Sequence, residues 1–419
     1  MRSIPLALYL HIPFCAARCA YCDFNTYAGL EALFEPYTAA LVQEIGAAGG
    51  QRGRPAVRTI FIGGGTPTVL PPDLLARALA ACREAFDVAP DAEITSEANP
   101  GTVDQARFAA LRDMGVNRLS LGVQSFDDAE LRWLGRIHSA AEAEAAFVAA
   151  RAAGFANINL DFIFGLPGQA SATWARTLDR AVALGPEHLS LYSLTIEHGT
   201  PLADQVRRGA VAAPDDDLAA DLYELACDTL AAARYEQYEI SNWAKQIANC
   251  KSANLQICNP QSAIRNPQSA IRNPQSAIRN LQSAICNHNL VYWRRESYLG
   301  FGAGAHSFDG AAERRWWNVR PVPEYIRRIT QGRSAEADGE TLDRRTAMGE
   351  TMMLGLRLTK EGAADARFRA QFGVGLDEAF GAEIARLAAR GLLERLPDRV
   401  RLTPRGRLLG NQVFAAFLP

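Results

Sequence analysis

The chain has no excess of charge of either sign, no long apolar run and no regular cysteine framework. Lys plus Arg number 44 against 46 Asp plus Glu, a net charge of −2, so no global field draws nucleic acid or an anionic membrane to it. Nothing approaches the roughly 20 consecutive apolar residues that a bilayer-spanning helix needs. One arginine and an apolar run of about seven residues precede His11 and Pro13, too little for a secretory signal core. Five of the eight cysteines, Cys82, Cys227, Cys250, Cys258 and Cys286, share no spacing pattern, which argues against a disulfide scaffold and for a reducing compartment. These absences predict a soluble, cytoplasmic protein without a membrane span and speak against nucleic acid as a partner. At 419 residues there is room for two or three domains, or for one large barrel with an appendage.

What is present is concentrated in the other three cysteines. Cys15, Cys19 and Cys22 form Cys-x3-Cys-x2-Cys directly after an apolar strand, Leu6 to His11. Full protein ligation of a [4Fe-4S] cubane takes four cysteine thiolates, so three on one loop hold three irons and leave one open to a substrate or cofactor. A structural zinc site would want four N or S ligands, commonly as two pairs, and no second pair stands nearby.

Six short apolar or alternating runs recur, separated by alanine-rich segments of helical period, which is the pattern of repeated β-α units in an α/β fold. Strands are predicted near Leu6 to His11, Val57 to Ile62, Glu93 to Ala98, Arg118 to Val123, Ile158 to Ile163 and His188 to Thr195. Helices are predicted at Phe34 to Ala48, Pro72 to Phe86, Asp104 to Met114, Ala140 to Ala153 and Ala172 to Leu184. Most of the unusual residue clusters then fall at or just after strand C-terminal ends, where parallel α/β barrels keep their active sites. The second strand leads into Gly63-Gly64-Gly65-Thr66, whose glycines let backbone approach a ligand closely with free N–H and C=O groups. The third ends in Glu97-Ala-Asn99. The fourth delivers Gln124-Ser-Phe with Arg136 and His138 behind it, and the fifth contains Asp161 ahead of Phe164-Gly-Leu-Pro-Gly168. Each polar residue alone reads equally as a structural hydrogen-bonding group; their convergence on one rim favours a binding site.

These motifs carry a resemblance. Cys-x3-Cys-x2-Cys is the spacing used by the radical S-adenosylmethionine (SAM) superfamily. Tyr9-Leu-His11-Ile-Pro-Phe-Cys15, the triple-glycine turn, Gly122-Val-Gln124-Ser-Phe, Leu134-Gly-Arg136-Ile-His138 and Asp161-Phe-Ile-Phe-Gly-Leu-Pro-Gly resemble its HemN/HemW group. The match runs from about Tyr9 to the C-terminus apart from one insertion. It implies an incomplete six-unit (β/α) radical SAM barrel in which Cys15, Cys19 and Cys22 ligate a [4Fe-4S] cluster. It further implies that Tyr9, Gly64, Gly65, Thr66, Glu97, Gln124, Arg136 and Asp161 contact SAM.

Within the group, oxygen-independent coproporphyrinogen oxidases carry another cysteine two residues past the third, and a longer N-terminal segment. Here Phe24 takes that place, and Cys19-Ala-Tyr21-Cys22-Asp23-Phe24 resembles the Cys-x-Tyr-Cys-Asp-Phe of the HemW, or haem-chaperone, branch. His288-Asn289-Leu-Val-Tyr292-Trp293 is similar to that branch's HNxxYW motif. An imidazole can be an axial ligand to haem iron and aromatic rings can cover a porphyrin face, so His288 is the expected haem ligand. The alternative is a histidine and two aromatics packed into the barrel's closing segment. Tyr298-Leu-Gly-Phe-Gly-Ala-Gly-Ala-His306-Ser-Phe also matches the group without a role that its chemistry reveals. The branch implies a chaperone that binds haem, the cluster and SAM and passes haem to acceptor apoproteins, and is compatible with a homodimer; no catalytic residue is assigned. The alternatives are a coproporphyrinogen oxidase and, from another class, a nucleic-acid-binding regulator.

Between Gln246 and Asn287 there is no acidic residue, no glycine and no aromatic. Asn259-Pro-Gln-Ser-Ala-Ile-Arg265 repeats from Asn266 and Asn273 and decays to Asn280-Leu-Gln-Ser-Ala-Ile-Cys286. A proline every seven residues interrupts any helix, and one isoleucine per unit is too little for a core, so a disordered loop is expected. The group usually has a cysteine two residues before the His-Asn pair; Cys286 meets that spacing, but Cys250 is preferred as its ancestral counterpart. Near the C-terminus, Leu392 to Leu396 and Val400 to Leu402 flank Pro397-Asp398, and Thr403-Pro404 reads as an N-cap with proline at the first turn. The expected organisation is a barrel core over 1–245, the repeat insertion over 246–287, a barrel-closing segment over 288–334 and a winged-helix-like domain over 335–419. Seven arginines between Arg386 and Arg407 permit a nucleic-acid reading of that last unit, with packing against the barrel or a partner the favoured one.

Overall fold

Parallel strands cannot be joined by tight turns, so each β-α unit sends its helix back across the sheet before the next strand begins. The computed structural model describes residues 6–246 and 284–419. In it β1 (Leu6–Ile12), β2 (Ala56–Gly64), β3 (Asp87–Ala98), β4 (Arg118–Gln124), β5 (Ile158–Phe164) and β6 (His188–Ser193) lie side by side in chain order, all parallel. Helices Phe34–Arg52, Pro72–Ala85, Gln105–Asp113, Ala140–Ala152 and Ser171–Leu184 fall between successive strands. They pack with the strands around one core that includes Leu8, Leu10, Ile60, Ile62, Leu121 and Leu160. Local chemistry starts them where the sequence indicates: Ser139 and Glu142 form a reciprocal capping box, and Asp104 accepts from the Arg107 amide.

The sheet continues past both ends of this six-unit core. β9 (Tyr298–Phe301) pairs parallel to β1, followed outward by antiparallel β10 (His306–Asp309), β11 (Arg314–Asn318) and β12 (Glu336–Thr341). Beyond β6 lie antiparallel β8 (Asn242–Lys245) and β7 (Tyr235–Glu239), which completes a twelve-stranded sheet. These strands escape sequence pattern because they are short and lack a run of alternating apolar residues; Glu336–Thr341 contains no large apolar residue.

The barrel interior holds an aromatic column. The His288 ring lies 5.2 Å from Phe61 and 5.1 Å from Tyr292, and Tyr292 lies 4.8 Å from Tyr298. The short helix Asn287–Trp293 is inserted against β2 and β3, where the Glu93 carboxylate accepts from the Asn287 and His288 amides, each at 3.0 Å. Ala284 and Cys286 are buried, so the last residues of the segment assigned to the repeat insertion belong to the packed fold. Cys250 and the repeats themselves lie outside the described residues.

The C-terminal unit has its own core, around Met352, Phe368, Phe380, Leu387 and Phe417, and a small sheet of β13 (Ala363–Ala364), β15 (Arg399–Leu402) and β14 (Leu393–Arg395). Thr403 caps the next helix, accepting from the Gly406 amide, with Pro404 in its first turn. Arg395, Arg399 and Arg401 pair with Asp377, Asp398 and Glu394, and Arg407 donates to Gln237 of β7. Much of the arginine run is thus spent within the unit or on its contact with the barrel.

Candidate functional site

A cavity of about 350 Å³ opens at the C-terminal ends of the parallel strands. Its lining includes all three motif cysteines together with Gly64, Gly65, Thr66, Glu97, Gln124, Arg136 and Asp161. Residues from five separate β-α units, spread over some 150 positions of sequence, therefore meet as the strand-end reasoning requires.

Each thiol has a polar neighbour. Arg136 donates to Cys19 Sγ at 3.3 Å and to the Gly122 carbonyl at 3.0 Å, Thr66 Oγ1 lies 3.7 Å from Cys15 Sγ, and Thr26 Oγ1 lies 3.8 Å from Cys22 Sγ. Burial pushes the Cys15 and Cys22 thiols up. Among the described residues no group of three or more His, Cys, Asp or Glu is gathered about a single point. Three thiols lining one cavity, with a half-buried guanidinium behind one of them, fit a cubane of which three irons would each be held by a separate cysteine.

The triple glycine is a matter of space. A Cβ on Gly63 would stand 2.9 Å from the Glu97 carboxyl, one on Gly64 2.5 Å from the His11 ring, and one on Gly65 2.5 Å from the Phe14 carbonyl oxygen. Contrary to expectation, the turn's amides are not free: Gly64 N–H donates to Glu97 Oε2, Gly65 N–H to the Ile12 carbonyl and Thr66 N–H to the Phe14 carbonyl. The glycines bring β2 against the cysteine loop, and access to a ligand is left to carbonyls and side chains.

Two half-buried carboxyls line the cavity. Burial, and the Asp161 charge second, raise Glu97 from 4.5 to about 8. Burial also raises Asp161, opposed by hydrogen bonds from Ser120 and Asn159 at 2.7 Å each. Asn159 continues inward to His188 Nδ1 at 2.6 Å, and His188 Nε2 lies 2.9 Å from the Tyr238 hydroxyl. Ser120 and Asn159 did not stand out in the sequence; the available signal was that Asn159 and Asp161 share one face of an otherwise apolar strand. Tyr21 and Tyr192 are further lining residues that the motifs left unassigned. Gln124 adopts φ of 69°, a left-handed backbone uncommon outside glycine, at an irregularity in the β4–β5 ladder.

Two anticipated residues are elsewhere. Tyr9 does not line the cavity; its hydroxyl lies 3.0 Å from His11 Nδ1, one layer further into the barrel. His288 is 1% exposed, with Nδ1 2.9 Å from Thr59 Oγ1 and Nε2 2.9 Å from the Tyr292 hydroxyl. Thr59 precedes Gly64 by five residues of strand, about 16 Å at ~3.3 Å per residue, so this histidine sits toward the opposite end of the barrel. Both ring nitrogens being occupied, His288 presents no open ligand position in this conformation. Trp293 turns instead toward the C-terminal unit, where the Arg357 guanidinium lies 4.3 Å from its ring centre.

Comparison with known proteins agrees with this architecture. Residues 9–181 match the Radical SAM superfamily and residues 342–409 the HemN C-terminal domain. The chain is 38% identical to the heme chaperone HemW of Mycobacterium tuberculosis over 421 residues, covering 100% of this chain and 96% of the relative. It is 36% identical to that of Bacillus subtilis, with 98% of each chain covered, and 35% identical to that of Escherichia coli, with 99% and 98% covered. Among solved structures, coproporphyrinogen III oxidase (HemN) from Escherichia coli, a radical SAM enzyme, superposes with a TM-score of 0.78 at 24% identity, covering 100% of this chain and 91% of that one.

Proposed function

The chain belongs to the HemW family of radical SAM proteins, and from that premise we propose that it binds haem and delivers it to acceptor apoproteins. The observation that carries this reading is the full-length similarity to heme chaperones, combined with Phe24 at the position where the coproporphyrinogen oxidases have their additional cysteine. Cys15, Cys19 and Cys22 would hold the [4Fe-4S] cluster, which supplies an open iron for the amino and carboxylate groups of SAM. Arg136 anchors the Cys19 side of that loop through its paired hydrogen bonds. Glu97 and Asp161 favour a cation between them, as the sulfonium and ammonium of SAM provide. Gly65 keeps the second strand close enough to the cysteine loop for both to face one ligand. In this reading the His288 motif closes the base of the barrel, Glu93 capping its helix and Tyr292 filling the interior.

The test is an anaerobic assay of reconstituted protein with haem and coproporphyrinogen side by side. A stable haem complex that gives up haem to an apoprotein, without decarboxylation of coproporphyrinogen, supports the chaperone. SAM-dependent decarboxylation would replace it with the oxidase.

A further inference from the structure

Behind the cavity the barrel interior is polar where apolar packing would suffice. Ser120, Asn159 and His188 stand directly abreast in the β4–β5–β6 ladder, and Ser190 lies opposite Asp161 in the next register position. Ser120, Asn159, His188 and Ser190 are all buried. Burying such groups costs free energy unless each finds a partner, and here each does. Their bonds run in one line from Tyr238 of β7 to Asp161 at the cavity.

The sense of that line follows from its end. A carboxylate only accepts hydrogen bonds, so the Asn159 amide nitrogen faces Asp161 Oδ1 and Ser120 Oγ, each at 2.7 Å, and Asn159 Oδ1 is turned inward. His188 Nδ1, 2.6 Å from that oxygen, then carries the ring proton, and the Ser190 hydroxyl donates to the same oxygen at 3.1 Å. Burial, with the Arg118 charge second, holds His188 well below its usual pKa, so the ring is neutral and Nε2 accepts from the Tyr238 hydroxyl at 2.9 Å. Every donor in the series points toward Asp161: Tyr238 to His188, His188 to Asn159, and Asn159 and Ser120 to the carboxylate. Bonds aligned in one sense polarise one another, and what they favour is negative charge at the accepting end. Asn159, His188 and Tyr238 do not line the cavity, so they act on its ligand only through Asp161.

We propose that His188 is a positioning residue of the SAM site: it locks the Asn159 amide in the orientation that keeps Asp161 an anionic acceptor aimed into the cavity, while Tyr238 fixes the His188 tautomer from behind. The inference rests on the reading of this cavity as the SAM site and deepens it by naming what holds one of its carboxylates. Without His188 the amide is free to turn its oxygen toward Asp161. Two oxygens 2.7 Å apart are stable only with a proton between them, so Asp161 would then take one up at neutral pH.

Glu97 of β3, Arg118 of β4 and Tyr192 of β6 are the other titratable or charged groups that act on Asp161. They are common to all the variants, so the readout is the difference between profiles when the reconstituted full chain is titrated calorimetrically with SAM across pH. His188→Leu should weaken SAM binding about fivefold or more near pH 7 and lose that deficit as pH rises, since higher pH ionises Asp161 again. His188→Asn, whose side-chain nitrogen can take the place of Nδ1, should recover most of the affinity. Tyr238→Phe should shift the profile in the same direction by less, and [4Fe-4S] content should be kept in all three. A deficit equal at every pH, or an Asn variant no better than Leu, would show a structural role only and overturn the assignment while leaving the SAM site in place. If His188→Leu does not fold, an unmoved profile in Tyr238→Phe would overturn it equally. An unaltered chain that binds no SAM would overturn the SAM reading of the cavity, and this assignment with it.

Discussion

In the proposed reading, single side chains decide the chemistry at Glu97 and at the three cysteines. Replacing Cys15, Cys19 or Cys22 by Ala is expected to abolish the [4Fe-4S] absorption after anaerobic reconstitution, because no described residue stands ready to substitute; buried Cys82, in the outer helix layer, should be dispensable. Glu97 makes a prediction in pH. With its carboxyl raised from 4.5 to about 8, the ligand-free chain carries it protonated at neutral pH, and a cationic ligand must drive a proton off. SAM affinity should therefore rise as pH climbs toward 8, by at most about tenfold per unit, and flatten in Glu97→Gln. For stability the sign follows from a folded pKa above the unfolded one. The contribution is full below about 4.5 and is lost as pH rises through 8, so the melting temperature of the unaltered chain should fall relative to Glu97→Gln over that window. A parallel pH response of the two proteins would show that Glu97 does not face the ligand.

At the scale of elements, helix Asn287–Trp293 depends on a residue far away in sequence. Glu93 satisfies two of its N-terminal amides, and removing an acceptor from such a site costs about 1–2 kcal/mol. Glu93→Ala should lower stability by that amount in denaturant titration while leaving cluster content unchanged, since the cysteine loop lies at the other end of the strands. Gly65→Ala should do the reverse. Its Cβ would press on the Phe14 carbonyl at 2.5 Å, so β2 and the cysteine loop must separate, and cluster or SAM occupancy should fall by more than global stability does. The helix and strand that these changes affect were unequally legible. β2 announces itself by alternation and its glycine turn. The short helix is specified by Glu93, Thr59 and Phe61, none of which its own seven residues reveal.

For the whole molecule, the question is how a repeat of foreign composition sits inside a conventional barrel. Ala284 and Cys286 pack into the base, so deleting residues 252–283 should leave melting temperature, cluster and haem binding unchanged. Deleting 252–287 removes the buried cysteine as well, and the chain should then stay folded only if Cys250-Lys251 takes the places of Cys286-Asn287. Collapse of the longer deletion alone would assign the structural cysteine to Cys286; collapse of both would show that the repeat is part of the fold. The C-terminal unit is held by charged contacts such as Arg357 with Glu239 and Arg294 with Glu361, in addition to apolar packing. The half-exposed Arg294–Glu361 pair adds little net stability of its own, whereas Glu239 is buried, so removing Arg357 would leave a buried carboxyl without its cation.

The sequence by itself determined the cluster loop, the six parallel strands and the side chains at their ends. Each of these rests on local chemistry: thiol spacing, strand periodicity, a Cβ-free turn, a capping residue. Only the tertiary structure decided what those side chains do not do. Tyr9 faces His11 instead of the cavity, the glycine amides bond to neighbouring backbone, and His288 spends both ring nitrogens inside the barrel. The physical reason is that hydrogen-bond partners and free lone pairs are properties of an assembled environment. Residues as distant as Thr59 and His288, or Cys19 and Arg136, acquire their roles only when elements far apart in the chain are set side by side.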